Sequence, residues 1–375
     1  MNSNLRCYLI VLALTGVSAS THICNMATAQ IARPDRGPAR TETFKARDTV
    51  DIKKDKLQDT DKLLKKIRYA SDRFEVKVSF DPGPWHALVR FPTPKPSGHE
   101  NNDTVVMEWY AARDGKGQTI KGPAPAMIVM HILDGRMVIA RMFANAFSQA
   151  GIHSFVMHMP HYGLRSGAEL RPDEAMFLAG AYQAVADTCR ARDAISALPG
   201  INGKIGIQGT SLGGFTAVVC AAVDHRYDPV FAVLAGGDLN DMIINGGKDT
   251  ANIRQVLKEN GYTGEKLKRL AWEVEPLRVA HRLNPKRTWL FSATLDVVVP
   301  PRNARALAKA IGLDKDHHYW ATGNHYTAII HLPKIANFMI QTIRSQQTGK
   351  DNAEKAEKPT RLSAPDKSKT GESKQ

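Results

Sequence analysis

The chain has 375 residues, 43% of them hydrophobic, and a formal charge of +14. That length and apolar content allow one large globular domain or two small ones and exclude a chain disordered throughout. The positive charge comes with no Arg/Lys-aromatic interleaving and no nucleic-acid motif, so it predicts solubility or adhesion to anionic surfaces and no nucleic-acid partner.

In chain order, the first element reads as an export signal. Arg6 supplies a positive start, residues 7–17 a short apolar run, and Ser18-Ala19-Ser20 and Ala27-Thr28-Ala29 two small-residue cleavage sites. The apolar run is too short to span a bilayer comfortably, although an uncleaved anchor is the alternative. Residues 1–29 are therefore expected as a signal peptide. The mature protein is expected to be exported, periplasmic or secreted, with no stable membrane span. Residues 30–70 are rich in Pro, Arg, Lys and Asp and are expected as a charged linker, with a candidate helix at Asp55–Arg68.

The α/β pattern follows over residues 71–345. Phe74–Phe80 alternates with period two and reads as a half-exposed strand, and Val105–Tyr110 as the next, with Pro-rich residues 92–98 connecting them. Ala126–Met130 is continuously apolar, as a strand covered on both faces requires. A helix is expected over Met137–Ala150, a strand over Ile152–Met157 and a long helix over Asp173–Leu198. Strands at Lys204–Gln208, Val230–Ala235, Thr288–Leu295 and His317–Thr322 complete the pattern. The expected fold class is α/β, a mostly parallel central sheet with helices on both faces. Residues 238–287 separate two strands by more than an ordinary connection and carry helical patterns at Ile253–Asn260 and Leu267–Trp272. They are expected as a cap-like insertion or a peripheral helical excursion. The Lys-, Glu- and Ser-rich residues 346–375 are expected to be a disordered tail. Cys189 and Cys220 lie on apolar helix patterns and read as core residues, with pairing left open. No Cys/His spacing points to a metal, and no cofactor motif is present.

The chemistry centres on Gly209-Thr210-Ser211-Leu212-Gly213. A short apolar strand precedes it and a small, apolar helix pattern follows it. A strand, a sharp turn with Ser at its apex and then a helix make a nucleophile elbow, and the two glycines leave room for the turn. Asp296 follows the Thr288–Leu295 strand, and His325 follows the His317–Thr322 strand. A serine hydroxyl needs a base in reach, and the base needs a partner that fixes its tautomer. Ser211 is thus the candidate nucleophile, His325 the base and Asp296 the acid. His317 and His318 within the strand and His331 on the following helix read as structural. Asp238 and Asp241 are rivals for the acid.

On this motif, and on the order Ser, Asp, His just past three strands, the chain resembles the α/β-hydrolase superfamily, most closely its dienelactone-hydrolase and prolyl-oligopeptidase-like branch, over roughly residues 74–343. Tyr162-Gly163-Leu164-Arg165 is also similar to a motif of a sparsely characterised α/β-hydrolase-domain group. The resemblance implies the α/β-hydrolase fold and favours Asp296, whose Asp-x-x-Val-Pro setting matches the branch. It implies an oxyanion hole from the N–H of Leu212 and one from His131-Ile132-Leu133-Asp134-Gly135. Ile132 stands where the family's His-Gly-x-x-Gly loop has Gly, so the second donor is Leu133 by alignment, with Ile132 as the alternative. Tyr162 and Arg165 are expected to contact substrate, and an insertion over residues 238–287 is expected to cap the site. The expected activity is cleavage of small carboxylic esters through an acyl-enzyme, without metal or cofactor. A serine peptidase and a non-catalytic binding protein on the same fold are the other readings, and the oligomeric state is not expressed in the sequence.

Overall fold

The computed structural model describes residues 40–133, 135–167 and 174–347. The expected signal lies outside them, as does the expected tail from residue 348 on. The chain runs β1 (Thr41–Arg47), α1 (Gln58–Ile67), β2 (Arg73–Ser79), β3 (Ala87–Pro92), α2 (Glu100–Asp103), β4 (Thr104–Tyr110), β5 (Ala124–Met130), α3 (Val138–Gln149) and β6 (His153–Met157). It continues through α4 (Glu174–Ser196), β7 (Ile201–Thr210), α5 (Leu212–Val223), β8 (Val230–Val233), α6 (Leu239–Asn245), α7 (Asp249–Glu259) and α8 (Gly264–Glu273). Then come β9 (Thr288–Ala293), α9 (Pro301–Ile311), β10 (His318–Ala321) and α10 (Leu332–Gln347).

The strands form one sheet in the order β1-β2-β3-β4-β6-β5-β7-β8-β9-β10. β1 to β4 run antiparallel, β4 is antiparallel to β6, and the rest pair in parallel. The side chains of β5 show why both faces need cover. Ala126, Ile128 and Met130 join one apolar cluster with residues of α1, α4, α5 and α9. Met127 and Val129 join the other, with Phe143 and Phe147 of α3 and Met339 of α10. The two-residue period of a strand sends alternate side chains to opposite faces, so a continuously apolar strand is stable only between two helical layers. From β5 the chain crosses outward to β6, then returns to β7 on the other side of β5. Connections leave in opposite directions there, and a crevice opens beyond the carboxyl ends of β5 and β7.

Three expectations need correction. Residues 41–67 are not linker: β1 pairs with β2 along its whole length, from Thr41 opposite Ser79 to Arg47 opposite Arg73, and α1 buries Leu63, Leu64 and Ile67 in the core. Buried Asp48 accepts from Arg190 Nε at 3.0 Å and Nη2 at 2.5 Å. The charges that read as solvated have partners more than a hundred residues away. Nor is the stretch between the first two expected strands a mere connection, because Ala87–Pro92 forms β3 between β2 and β4. Finally, α6 follows β8 directly, where no helix is expected. Cys189 and Cys220 are both buried free thiols, and burial pushes Cys220 up to about 12.

Two strand histidines are held neutral by burial. His153 accepts at Nδ1 from the Trp109 indole and the Ala112 N–H, both at 3.1 Å, and its pKa is lowered to about 4, chiefly by burial and further by repulsion from His86. His318 pairs with the Ser292 hydroxyl at 3.0 Å and is likewise lowered to about 4, by burial and then by Arg305. An unfolded histidine titrates near 6.5, so between pH 6.5 and 4 the unfolded chain binds protons that the folded chain refuses. The stability from these sites is complete above pH 6.5 and is lost as pH falls toward 4, up to about 3 kcal/mol for each. Denaturant titrations across that window are expected to show the loss, with a shallower slope in His153→Gln.

Candidate active site

β7 delivers Ser211 to the crevice through a turn with little steric freedom. Ser211 has φ 52° and ψ −118°, a conformation L-residues rarely adopt. It persists because the end of β7 and the start of α5 are pressed together. A Cβ on Gly209 would lie 2.0 Å from the Gly213 carbonyl oxygen, and one on Gly213 would lie 2.5 Å from the Met130 carbonyl oxygen. Only glycine fits at either position. The Ser211 N–H donates to Val233 O at 2.8 Å, anchoring the turn to β8.

The structure brings Ser211, His325 and Asp296 into one row. His325 Nε2 lies 3.1 Å from Ser211 Oγ, and Nδ1 lies 2.7 Å from Asp296 Oδ2. A carboxylate only accepts, so Nδ1–H donates to it and Nε2 is left to accept from the serine hydroxyl. Asp296 is 3% exposed. Its other oxygen accepts from the N–H groups of Val298 at 2.8 Å and Val299 at 2.9 Å, which hold the carboxylate in one rotamer. The row can take the hydroxyl proton onto Nε2 as Oγ attacks an electrophilic carbon, with the imidazolium stabilised by Asp296.

Leu212 is the first residue of α5, where a helix leaves its N–H groups free of intrahelical partners. Leu133 lies in the turn after β5, and the packing of Gly213 on the Met130 and His131 carbonyls puts the two backbones side by side. His131 is fully buried. It accepts at Nε2 from the Met159 N–H at 3.2 Å and faces Ile132 O with Nδ1 at 2.6 Å. The nitrogen that accepts cannot also carry the proton of a neutral ring, so Nδ1–H donates to Ile132 O. That bond fixes the peptide plane between Ile132 and Leu133, and across a trans peptide the Leu133 N–H points opposite to the Ile132 carbonyl.

Tyr162 packs on this same loop. Its ring meets the His131 ring at 4.9 Å and covers Gly135, whose φ is +65°. Arg165 is not at the site. It is fully buried, donates to Asp187 Oδ2 at 2.8 Å and reaches the carbonyls of Asn102 and His158. The expected substrate contact is therefore corrected. A guanidinium satisfies more bonds by turning inward to a buried carboxylate and three backbone contacts than it could in the open crevice, and the sequence offered no sign of Asp187 on α4. The rival acids are occupied elsewhere: Asp238 caps α6 by accepting from the Asp241 N–H at 3.1 Å, and Asp241 pairs with Arg302 at 2.6 Å. Among the other histidines, His317 faces Asp314 at 2.9 Å and His331 faces Thr322 O at 2.9 Å. Trp272 is half-exposed on α8 and Trp320 packs on His318 and Arg305.

The segment over residues 238–287 divides in two. α8 lies against α1 and α4, with Glu273 taking Lys66 at 2.7 Å and the Tyr182 hydroxyl at 3.0 Å. The junction of α6 and α7 instead meets the loops of Asp296 and His325. The Gly247 N–H donates to Val297 O at 2.6 Å, and Lys248 Nζ sits 4.7 Å from the centre of the Tyr326 ring. Sequence reading missed this contact, and the Gly246-Gly247 pair was its only visible sign.

No protein-family model matches the sequence, and no curated relative matches it. Solved structures do resemble it in three dimensions. An acetyl xylan esterase from Paenibacillus sp. R4 has a TM-score of 0.53 at 13% identity, over 91% of this chain and 94% of that one. Acetyl xylan esterase 1 from Thermoanaerobacterium sp. JW/SL YS485 has a TM-score of 0.53 at 14% identity, over 78% of this chain and 96% of that one. With the sheet order above, the likeness defines the α/β-hydrolase fold and singles out no branch within it.

The placement of Arg165 predicts a loss of stability rather than of recognition. Arg165→Ala leaves the Asp187 carboxylate buried and unpaired, which costs about 3–5 kcal/mol. Urea denaturation is expected to register that loss.

Proposed function

We propose that the chain is an exported serine hydrolase that cleaves carboxylic esters. The observation that carries this reading is the hydrogen-bonded row Ser211–His325–Asp296, with Ser211 in a strained turn at the start of α5. In the first half-reaction Ser211 Oγ attacks the ester carbonyl carbon and its proton passes to His325 Nε2. The Leu212 and Leu133 N–H groups donate to the developing oxyanion, and Asp296 stabilises the imidazolium. His325 then protonates the leaving alkoxide and an acyl-serine remains. In the second half-reaction water gives a proton to His325 and attacks the acyl carbon, and the bond to Ser211 Oγ then breaks as His325 returns the proton to Oγ, releasing the acid and restoring Ser211. Tyr162, packed on the loop of Leu133, would bound the substrate on that side.

Small esters suit the surroundings. Apolar side chains flank the row: Leu295 is 67% exposed beside Asp296, and Val297 and Tyr326 are exposed next to Asp296 and His325. The resemblance in fold to two acetyl xylan esterases supports ester chemistry without naming this chain's acyl group or alcohol. An alkoxide also leaves more readily than an amine anion, so the base has less to supply. On p-nitrophenyl acetate, Ser211→Ala is expected to lower turnover about a millionfold and Asp296→Asn about ten-thousandfold, while Asp241→Asn changes little. The matching arylamide is expected to be cut at least about a hundredfold more slowly. Comparable rates on ester and amide would move the reading to a peptidase, and full activity in Ser211→Ala would remove the nucleophile.

Export rests on the charged start, apolar run and small-residue sites of residues 1–29. Among the described residues no helix is long and apolar enough to cross a membrane. N-terminal sequencing of protein from the native host is expected to read from near Thr21 or Gln30, and an intact Met1 on a cytoplasmic protein would refute export.

A further inference from the structure

The segment from Gly246 to Thr250, which joins α6 to the first turn of α7, touches both loops of the catalytic row. Gly246 ends α6, and a Cβ there would lie 2.5 Å from the Met242 carbonyl oxygen. The chain then turns through Lys248, a non-glycine residue at φ 51° and ψ −119°. Such a conformation is strained and is kept only where the surroundings enforce it. The surroundings here are the two loops. On the acid side, the Gly247 N–H donates to Val297 O at 2.6 Å and the Thr250 hydroxyl donates to Val298 O at 2.9 Å. Those carbonyls belong to the turn whose own N–H groups, at Val298 and Val299, bind Asp296 Oδ1. Thr250 is 1% exposed, so its hydroxyl has no water to turn to. On the base side, Tyr326 follows His325 and meets its ring edge to face at 5.8 Å. Lys248 Nζ lies over the same ring, 4.7 Å from its centre.

We propose that residues 247–250 clamp the Asp296 turn and the His325 loop in register, with Thr250 a positioning residue that acts through Asp296. The segment thereby has a role apart from covering the site: it fixes the distance between acid and base from outside the row. The proposal rests on the serine-hydrolase reading. It requires that loosening the turn cost reactivity at Ser211, because a carboxylate free to rotate no longer holds one imidazole tautomer.

The test is the rate at which a fluorophosphonate probe labels Ser211 in the full chain, a readout that needs no knowledge of the natural substrate. Thr250→Val keeps the shape and removes the hydroxyl, and is expected to slow labelling roughly tenfold, the worth of one buried hydrogen bond. Thr250→Ser is expected to restore the rate. In an Asp296→Asn background, Thr250→Val is expected to add no further slowing, since the two changes interrupt one path. Should Thr250→Val not fold, Lys248→Met carries the test: it keeps the side-chain length, removes the charge over the Tyr326 ring, and is expected to slow labelling. A full rate in either single variant, failure of Thr250→Ser to restore it, or equal slowing with and without Asp296 would overturn the clamp. Labelling that survives Ser211→Ala would instead overturn the serine-hydrolase reading itself.

Discussion

The turn at Ser211 is the constraint on which the other parts of the site depend. A serine at φ 52° is stable only where the strand before it and the helix after it leave the backbone no alternative. β7 and α5 achieve this by close approach, with Gly209 against Gly213 and Gly213 against the end of β5. The same contact that strains Ser211 places the loop of Leu133 beside the first turn of α5. One packing event therefore sets the serine and brings the end of β5 up to the start of α5.

The electrostatic design separates charges that hold the fold from those at the site. The inward charges are paired: Arg165 with Asp187 and Arg190 with Asp48, all four buried, and buried Glu108 with the partly exposed Arg141 at 2.6 Å. Glu108 also faces His158 Nε2 at 3.1 Å, and His158 accepts at Nδ1 from the Leu164 N–H at 2.9 Å. This tie fixes the segment after β6, whose Met159 N–H in turn fixes His131. The orientation of the Leu133 peptide is thus supported through a buried chain of polar contacts that starts two strands away. Buried networks of this kind are stable only when complete, which ties their geometry to the fold as a whole.

Much of the site was legible locally. The elbow has a signature because its steric demand falls on residues within two positions of Ser211. Asp296 and His325 were legible because each follows a strand with its own apolar pattern, and parallel strands end on the same edge of the sheet. β1 and α1 were not legible, since their charged sequence resembles a solvated linker until Arg190 and the Leu63, Leu64 and Ile67 pocket are known. Arg165 failed for the mirror-image reason. A loop arginine beside the crevice can point either way, and Asp187 on α4 decides the direction.

The sequence alone determined the alternation of strands and helices, the serine turn and the order of the three polar residues, because each is written in short-range periodicity or local steric need. Tertiary structure decided which charged residues are buried, how the Ile132 carbonyl is tied to His131, and how the insertion divides between a face of the core and the loops of the acid and base. Those choices depend on partners tens to hundreds of residues apart, such as Thr250 with Val298 or Asp48 with Arg190. No local pattern encodes such pairs, because a hydrogen bond requires proximity in space and leaves the spacing along the chain free.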